Sequence, residues 1–325
     1  MRNDKGLFQR IGGTVIGSLV KVLLLIFFLL VVISFVSCSP TNRYDPRLLI
    51  ENGLQMSWSP SGKEIAYVAD REGSDTHDLY LYDTQTGNIS QVTELDGPYA
   101  PAFPSWSPNG QKLSFVLYSE GLDIVLLDFG KFDGTPLDSI ELRELIAKGV
   151  PPTQTGEIYA WNDDPHWSPD GTKIAFISWL EENVEIYIMD EEGDNAIKIG
   201  EQVGKNYEPT WSPDGNSLAF VSDRDGNLEI YTVNLISLEV SRITNSSEID
   251  QSPDWSPDGK WLVFESMRTG NWDLFAFHLE SGELVQLTFD EADDYTADWS
   301  PDGSLIGFTS LRLGEAALYV IDAPE

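Results

Sequence analysis

Cysteine is nearly absent from this 325-residue chain: Cys38 stands alone, which excludes an internal disulfide. Histidine is almost as scarce, with His77, His166 and His278 far apart and without a shared motif. Metal centres and nucleophile–base pairs draw heavily on these two residue types, so local spacing prepares neither. No Gly-x-Ser-x-Gly run occurs, which removes the signature of a hydrolase nucleophile elbow. Positive charge is thin as well: 20 Lys and Arg stand against 53 Asp and Glu, a formal net charge of −33. A body this acidic repels phosphate backbones and anionic headgroups, so nucleic acid is excluded as a partner. The charge leaves two readings, solubility in an exposed compartment or attraction of a basic partner.

Apolar residues concentrate in one place. Residues 22–36 form an unbroken apolar run apart from Ser34, preceded by Arg2, Lys5, Arg10 and Lys21 and followed by Ser37 and Cys38. A charged start, an apolar middle and a small residue at the end make the layout of an export signal. A cysteine at the cleavage point is similar to a bacterial lipobox, in which Cys38 is lipidated and becomes the new N-terminus. An uncleaved transmembrane anchor is the competing reading, with residues 11–20 extending the apolar run toward the ~20 residues a spanning helix needs. Either way the rest of the chain is expected outside the cytoplasm, attached to the membrane through its N-terminal segment. The expected organisation is residues 1–38 as signal or anchor, 39–45 as tether and 46–325 as the folded body.

That body is a repeat. Trp-Ser-Pro occurs six times, beginning at Trp58, Trp106, Trp167, Trp211, Trp255 and Trp299, at spacings of 48, 61, 44, 44 and 44 residues. Four copies continue Asp-Gly, and the first two carry Ser61-Gly62 and Asn109-Gly110. Proline presets φ, Asp, Asn or Ser bonds locally to the backbone, and Gly accepts φ > 0, so each copy encodes a tight turn. Seven residues after each tryptophan comes Ile or Leu, nine after it Tyr or Phe, with a mostly small residue between. This is period-two patterning with bulk on one face and hollows on the other. A third strand follows (Glu229-Ile-Tyr231, Asp273-Leu-Phe275) and then a fourth (Val240 to Thr244, Leu284 to Thr288). Four short strands per ~44 residues is the size of a propeller blade. The fold class is therefore all-β, a six-bladed β-propeller. The sixth repeat reaches Glu325 after its third strand, and the apolar segment from Arg47 to Ile50 is expected to close the last blade from the N-terminal side.

Repeats reading Trp-Ser-Pro-Asp-Gly, then Ile-Ala-Phe, then Ile-Tyr, with loops such as Ser222-Asp-Arg-Asp-Gly-Asn227 and Ser266-Met-Arg-Thr-Gly-Asn271, resemble the TolB-like propeller family of PD40 or WD40-like repeats. The resemblance covers about residues 44–325. It implies a periplasmic propeller that binds a protein. Only residues 39–45 separate the apolar leader from the ring, so it also implies a propeller without the α/β domain that precedes it in TolB. Similar propellers precede the hydrolase domain of prolyl oligopeptidases.

Connections from an outer strand to the next inner strand emerge on one side of such a ring. They are expected to carry Tyr99, Asp163, Asp164, Tyr207, Glu208, Asp250, Asp293, Asp294 and Tyr295, with Asp254 and Asp298 on inner strands nearer the channel. These groups would make a negative mouth with interleaved aromatics, suited to a basic peptide or a cation. The plainer alternative is a uniformly acidic, solvated surface. Residues 149–164 lengthen the gap between the second and third repeats on the same face, either as a binding loop or as a tolerated insertion. The six repeat tryptophans read as packing between blades, whereas Trp161, Trp179, Trp261 and Trp272 fall outside the repeat position and are candidates for an exposed contact. The run from Asp223 to Asn227 begins like a calcium loop but lacks its glycine and closing glutamate. The expected function is non-enzymatic binding of a basic protein surface or peptide by a monomer that needs no cofactor. The alternatives are a lyase or lactone hydrolase whose metal is held by mouth carboxylates and His166, and a sensor of cell-wall fragments.

Overall fold

The computed structural model describes residues 44–71, 76–118, 122–143, 161–180, 183–199 and 203–325. Cys38 and the leader lie outside the described residues, as do residues 149–160 of the insertion and the side chain of Trp161. Among the described residues no helix is long and apolar enough to cross a membrane.

Strand β1 (Arg47–Glu51) precedes six sheets. The first holds β2 (Leu54–Trp58), β3 (Glu64–Asp70), β4 (His77–Asp83) and β5 (Ile89–Gln91), and the second holds β6 (Ala100–Trp106), β7 (Lys112–Tyr118) and β8 (Leu122–Asp128). The third contains β9 (Trp161–Trp167), β10 (Lys173–Leu180), β11 (Asn183–Asp190) and β12 (Ile197–Lys198). Next come β13 (Asn206–Trp211), β14 (Ser217–Ser222), β15 (Glu229–Asn234) and β16 (Val240–Arg242). The fifth sheet is β17 (Asp250–Trp255), β18 (Trp261–Ser266), β19 (Asp273–His278) and β20 (Leu284–Gln286). The sixth is β21 (Asp294–Trp299), β22 (Leu305–Ser310) and β23 (Ala317–Asp322), with β1 as its outer strand. All pairings within sheets are antiparallel, including β1 on β23, so the expected closure is present. Arg47 reinforces it with an ion pair to Asp322 at 2.8 Å.

Bulk and hollow meet between blades as the alternation requires. Phe115, Phe176, Phe264 and Phe308, nine residues after their tryptophans, are completely buried, and each contributes roughly 2–3 kcal/mol by leaving water. The turn glycines Gly62, Gly110, Gly171, Gly215, Gly259 and Gly303 have φ between +68° and +72°, which a side chain would strain. A Cβ on Gly171 would also stand 3.2 Å from Pro108 of the neighbouring blade, and one on Gly62 3.5 Å from Pro301, across the ring closure.

The second blade departs from the expected four strands: among the described residues it has three. Its chain crosses instead to the first blade, where Leu137 forms a parallel bridge with Thr93. Helix α1 (Ser139–Arg143) follows, started by a capping box in which Asp138 accepts from the amides of Ile140 and Glu141 and Glu141 accepts from that of Asp138. This turn buries Leu142 completely beside Val92 and Leu95, and so covers the first blade's edge.

Candidate functional site: an acid-lined channel

Every inner strand kinks at the same place. Three residues before each tryptophan, Gln55, Phe103, Asp164, Glu208, Ser252 and Thr296 have φ between 49° and 54°, and the pairing register shifts beside each. A non-glycine residue in this region is strained by roughly 1–3 kcal/mol, and a bulge re-aims the side chains around it. The strain is held by side chains. The amide of Gln55 donates to Thr309 Oγ1 (3.2 Å), that of Phe103 to Gln55 Oε1 (3.1 Å), and that of Asp164 to Asp163 Oδ1 (2.9 Å). In the same way Ser252 N donates to Glu208 Oε2 (2.6 Å) and Thr296 N to Glu265 Oε1 (2.5 Å). The expected connection residues Asp163, Asp164, Tyr207, Glu208, Asp250, Asp294 and Tyr295 therefore sit within inner strands, because pairing runs further toward the mouth than the repeat pattern suggests.

Two of these acids leave the set available to a partner. Asp250 and Asp294 have no exposed surface. Arg268 Nη2 holds both oxygens of Asp250 at 2.8 and 2.7 Å, and Arg312 Nη2 holds those of Asp294 at 3.0 and 3.1 Å. Each guanidinium lies over two aromatic rings, Phe264 and Phe275 for Arg268, Phe308 and Tyr319 for Arg312, at 4.6–5.5 Å from their centroids. The fourth blade repeats the arrangement with Asn206, Arg224, Phe220 and Tyr231. These are structural locks, and their signal in the sequence is the Ser-x-Arg that recurs at the end of the second strand in blades four, five and six. Asp293 is engaged too, its Oδ1 accepting from the amide of Trp272 (3.0 Å).

The remaining acids face the lumen, among the described residues, without a lysine or arginine partner. Asp254 Oδ2 accepts from Trp299 N (2.9 Å) and Asp298 Oδ2 from Trp58 N (2.7 Å), each bridging to the next blade. His166 Nε2 lies 3.3 Å from Asp164 Oδ1, while Asp164 Oδ2 is buried without a hydrogen-bond partner. Among the described residues no Lys or Arg forms an ion pair with Asp163, Asp164, Glu208, Asp254, Glu265 or Asp298. Glu265 was not foreseen. Ten residues after the other tryptophans stand Val68, Val116, Ile177, Val221 and Thr309, so the odd carboxylate was visible only by laying the repeats over one another.

Desolvation in this narrow lumen dominates the electrostatics. Burial, then the charges of Asp164 and Glu265, push the Glu208 carboxyl up to about 8. Burial alone outweighs the hydrogen bonds to Glu265 and raises it to about 7. Asp163 rises to about 7 through burial and the Asp164 charge, and Asp254 to about 6 through burial. Asp298 rises well above the ordinary range through burial and the Asp254 charge. For His166 burial pulls downward, but the Asp164 hydrogen bond and the charges of Asp164, Asp254 and Asp298 together push it upward. The acids occupy an arc contributed by blades three to six; the same strand positions in blades one and two carry Gln55, Ser57, Phe103 and Ser105.

Aromatics flank the arc. Trp179, exposed, meets Tyr207 edge-on at 6.0 Å, and Trp272 meets Tyr295 at 6.3 Å. Trp261 does not join them: it is buried, with His278 against it at 4.7 Å, because position one of β18 points between blades. It borders a cleft of about 520 Å³ on the opposite face, where Lys260 and Asp258 already pair at 2.9 Å. The three histidines do not converge, His77 pairing with Asp70 at 2.9 Å. Among the described residues no three or more His, Cys, Asp or Glu are placed to hold a metal ion. In the loop after β14, Asp223 Oδ1 accepts from Lys205 N (2.8 Å) and Asp225 Oδ2 from Tyr231 OH (2.6 Å), so the calcium-like oxygens are already used.

Six sheets closed by β1 define a six-bladed β-propeller, with carboxylates gathered on the inner-strand side of blades three to six. The chain belongs to the TolB-like β-propeller family: the TolB beta propeller domain model matches residues 162–323. A second model, the dipeptidyl peptidase IV N-terminal region, matches residues 72–202. A TolB structure from Agrobacterium tumefaciens is similar at 23% identity and a TM-score of 0.59, covering 84% of this chain and 91% of that one. TolB from Acinetobacter baumannii is similar at 21% identity and a TM-score of 0.63, covering 81% of this chain and 64% of that one. An oligogalacturonate lyase in complex with manganese is similar at 18% identity and a TM-score of 0.58, covering 87% and 96%. At these identities the likenesses establish the fold. No curated protein matches the sequence.

Proposed function

We propose that this propeller is a non-enzymatic binding protein that receives a basic protein segment at the acidic mouth of its channel. One observation carries the reading: six acids of the lumen have no Lys or Arg partner, whereas the acids beyond them at the rim are locked by arginine. Water in a narrow lumen solvates charge poorly, so a cation supplied from outside gains more there than on an open surface. Tyr207 with Trp179 and Tyr295 with Trp272 add apolar anchor area beside the acids, the residue types that dominate protein contacts. Of the mouth residues read from the sequence, Asp163, Glu208, Asp254 and Asp298 stay in the proposed contact set, and the buried Asp164 and Glu265 add their charge from behind them. Export and attachment through the leader, with Cys38 as the lipidated residue, and a monomeric state complete the proposal.

The test is affinity capture from envelope extract with the full chain and with an isosteric variant, Glu208→Gln, Glu265→Gln, Asp254→Asn and Asp298→Asn. A partner retained by the parent and lost by the variant is the expected result; a partner retained equally by both would overturn it. The enzymatic alternative draws on the likeness to a manganese-bound lyase. Among the described residues its channel donors do not assemble as a group of three, and tight manganese binding in a direct titration would revive it.

A further inference from the structure

Between blades four and five, on the mouth side, a pocket of about 110 Å³ opens among Tyr207, Glu208, Val221, Leu228 and Gln251. Its walls are of two kinds. Val221, Leu228 and the Tyr207 ring give an apolar surface, and the polar groups come from Glu208 and Gln251. Both polar groups are partly committed in a way that leaves acceptors. Glu208 Oε2 takes the Ser252 amide at 2.6 Å, which leaves Oε1. Gln251 Nε2 donates to Glu265 Oε2 at 2.9 Å, which leaves its carbonyl oxygen.

The geometry points to a subsite for one lysine side chain of the bound segment, its four-carbon stem against Tyr207, Val221 and Leu228 and its ammonium on Glu208 and Gln251. This deepens the proposed function and rests on it. The volume is that of one long side chain, not of a peptide or a small-molecule cofactor. A lysine presents an apolar stem and a compact three-donor head, which matches an apolar-walled pocket with two single acceptors; a guanidinium is built for a bidentate carboxylate, and here one carboxylate oxygen is already taken. The largest charges acting on the pocket are negative. Asp164, with its buried unpartnered Oδ2, Glu265 and Asp163 all act on Glu208 from the neighbouring strands. Trp179, exposed against the outer edge of Tyr207, continues the apolar wall toward solvent.

The experiment measures binding of a dye-labelled lysine-rich dodecamer to the full chain by fluorescence anisotropy at pH 8. Glu208→Gln removes the charge, and Leu228→Trp fills the pocket without removing an acid; thermal melts confirm that each is folded. Both variants are expected to weaken binding at least tenfold, while Glu291→Gln, an exposed acid on the same face, changes it less than twofold. If the parent binds and both pocket variants bind equally well, the pocket is not a subsite and the acidic mouth still stands. If the parent does not bind the dodecamer, the mouth reading falls and the pocket with it.

Discussion

Asp250 and Asp254 lie four residues apart on one strand, as do Asp294 and Asp298, yet they belong to different regimes. At the rim, Asp250 and Asp294 are fully buried, gripped by Arg268 and Arg312, and walled by aromatic rings. In the lumen, Asp254 and Asp298 receive one backbone amide each from the next blade and no lysine or arginine, with only His166 as a nearby basic group. The first pair spends its charge inside the molecule; the second keeps it for the channel. Net acidity therefore says little about where a partner binds. What decides is whether each carboxylate has a cation of its own within the fold.

The comparison breaks most sharply at the arginines. Arg268→Ala leaves Asp250 buried and uncompensated, and is expected to destabilise the protein by about 3–5 kcal/mol in urea denaturation. Arg312→Ala should match it. The lumen acids should behave in the opposite sense. Glu265→Gln removes a charge that burial disfavours, so at pH 8, above its value of about 7, the variant is expected to be about 1 kcal/mol more stable than the parent. At pH 5, where the parent's Glu265 is already protonated, the two should melt together.

The pH profile of the whole protein sharpens the same point. Glu208, Glu265, Asp163 and Asp254 have folded-state values raised to about 8, 7, 7 and 6. A carboxyl raised on folding binds its proton more tightly in the native state, so stability is greatest at low pH and is lost as pH climbs through the raised value. His166, also raised, acts in the same direction. The exposed turn acids Asp170, Asp214 and Asp302 are lowered by their Ser, Thr or Asn hydrogen bonds, and their contribution is complete above the ordinary carboxylate range. The melting temperature should therefore fall between about pH 5 and pH 8; a rise across that window would count against protonated lumen acids. The smallest stability effect belongs to Trp179→Ala, expected within about 0.5 kcal/mol of the parent because the ring is exposed. Its consequence should appear in partner affinity, measured by the same capture assay.

Much of this fold was legible because each repeat restates it. Six turns, the large–small alternation and the strand that closes the sixth blade all follow from residues whose spacing recurs. The second blade broke the pattern because, among the described residues, its third strand is followed by a crossing segment, Leu137 and Leu142, that resembles no repeat. The site was legible only in outline. Counting acids near the mouth found Asp254, Asp298 and Glu208, but could not separate Asp250 and Asp294 from them, since the arginines that neutralise them lie 18 residues away on the next strand connection. Glu265 was hidden in a strand read as core. The bulges, which turn Asp164 and Glu208 inward, leave no residue signature, because six different side chains share one strained conformation.

The central claim is that the lumen carboxylates hold protons for want of cations and give them up to a basic partner. Calorimetric titration of the lysine-rich dodecamer into the full chain at pH 7, in two buffers of different ionisation enthalpy, tests it directly. The account predicts net proton release on binding, abolished together with most of the affinity in the Glu208→Gln, Glu265→Gln, Asp254→Asn and Asp298→Asn variant. Binding with no proton exchange, or with undiminished affinity in that variant, would contradict it.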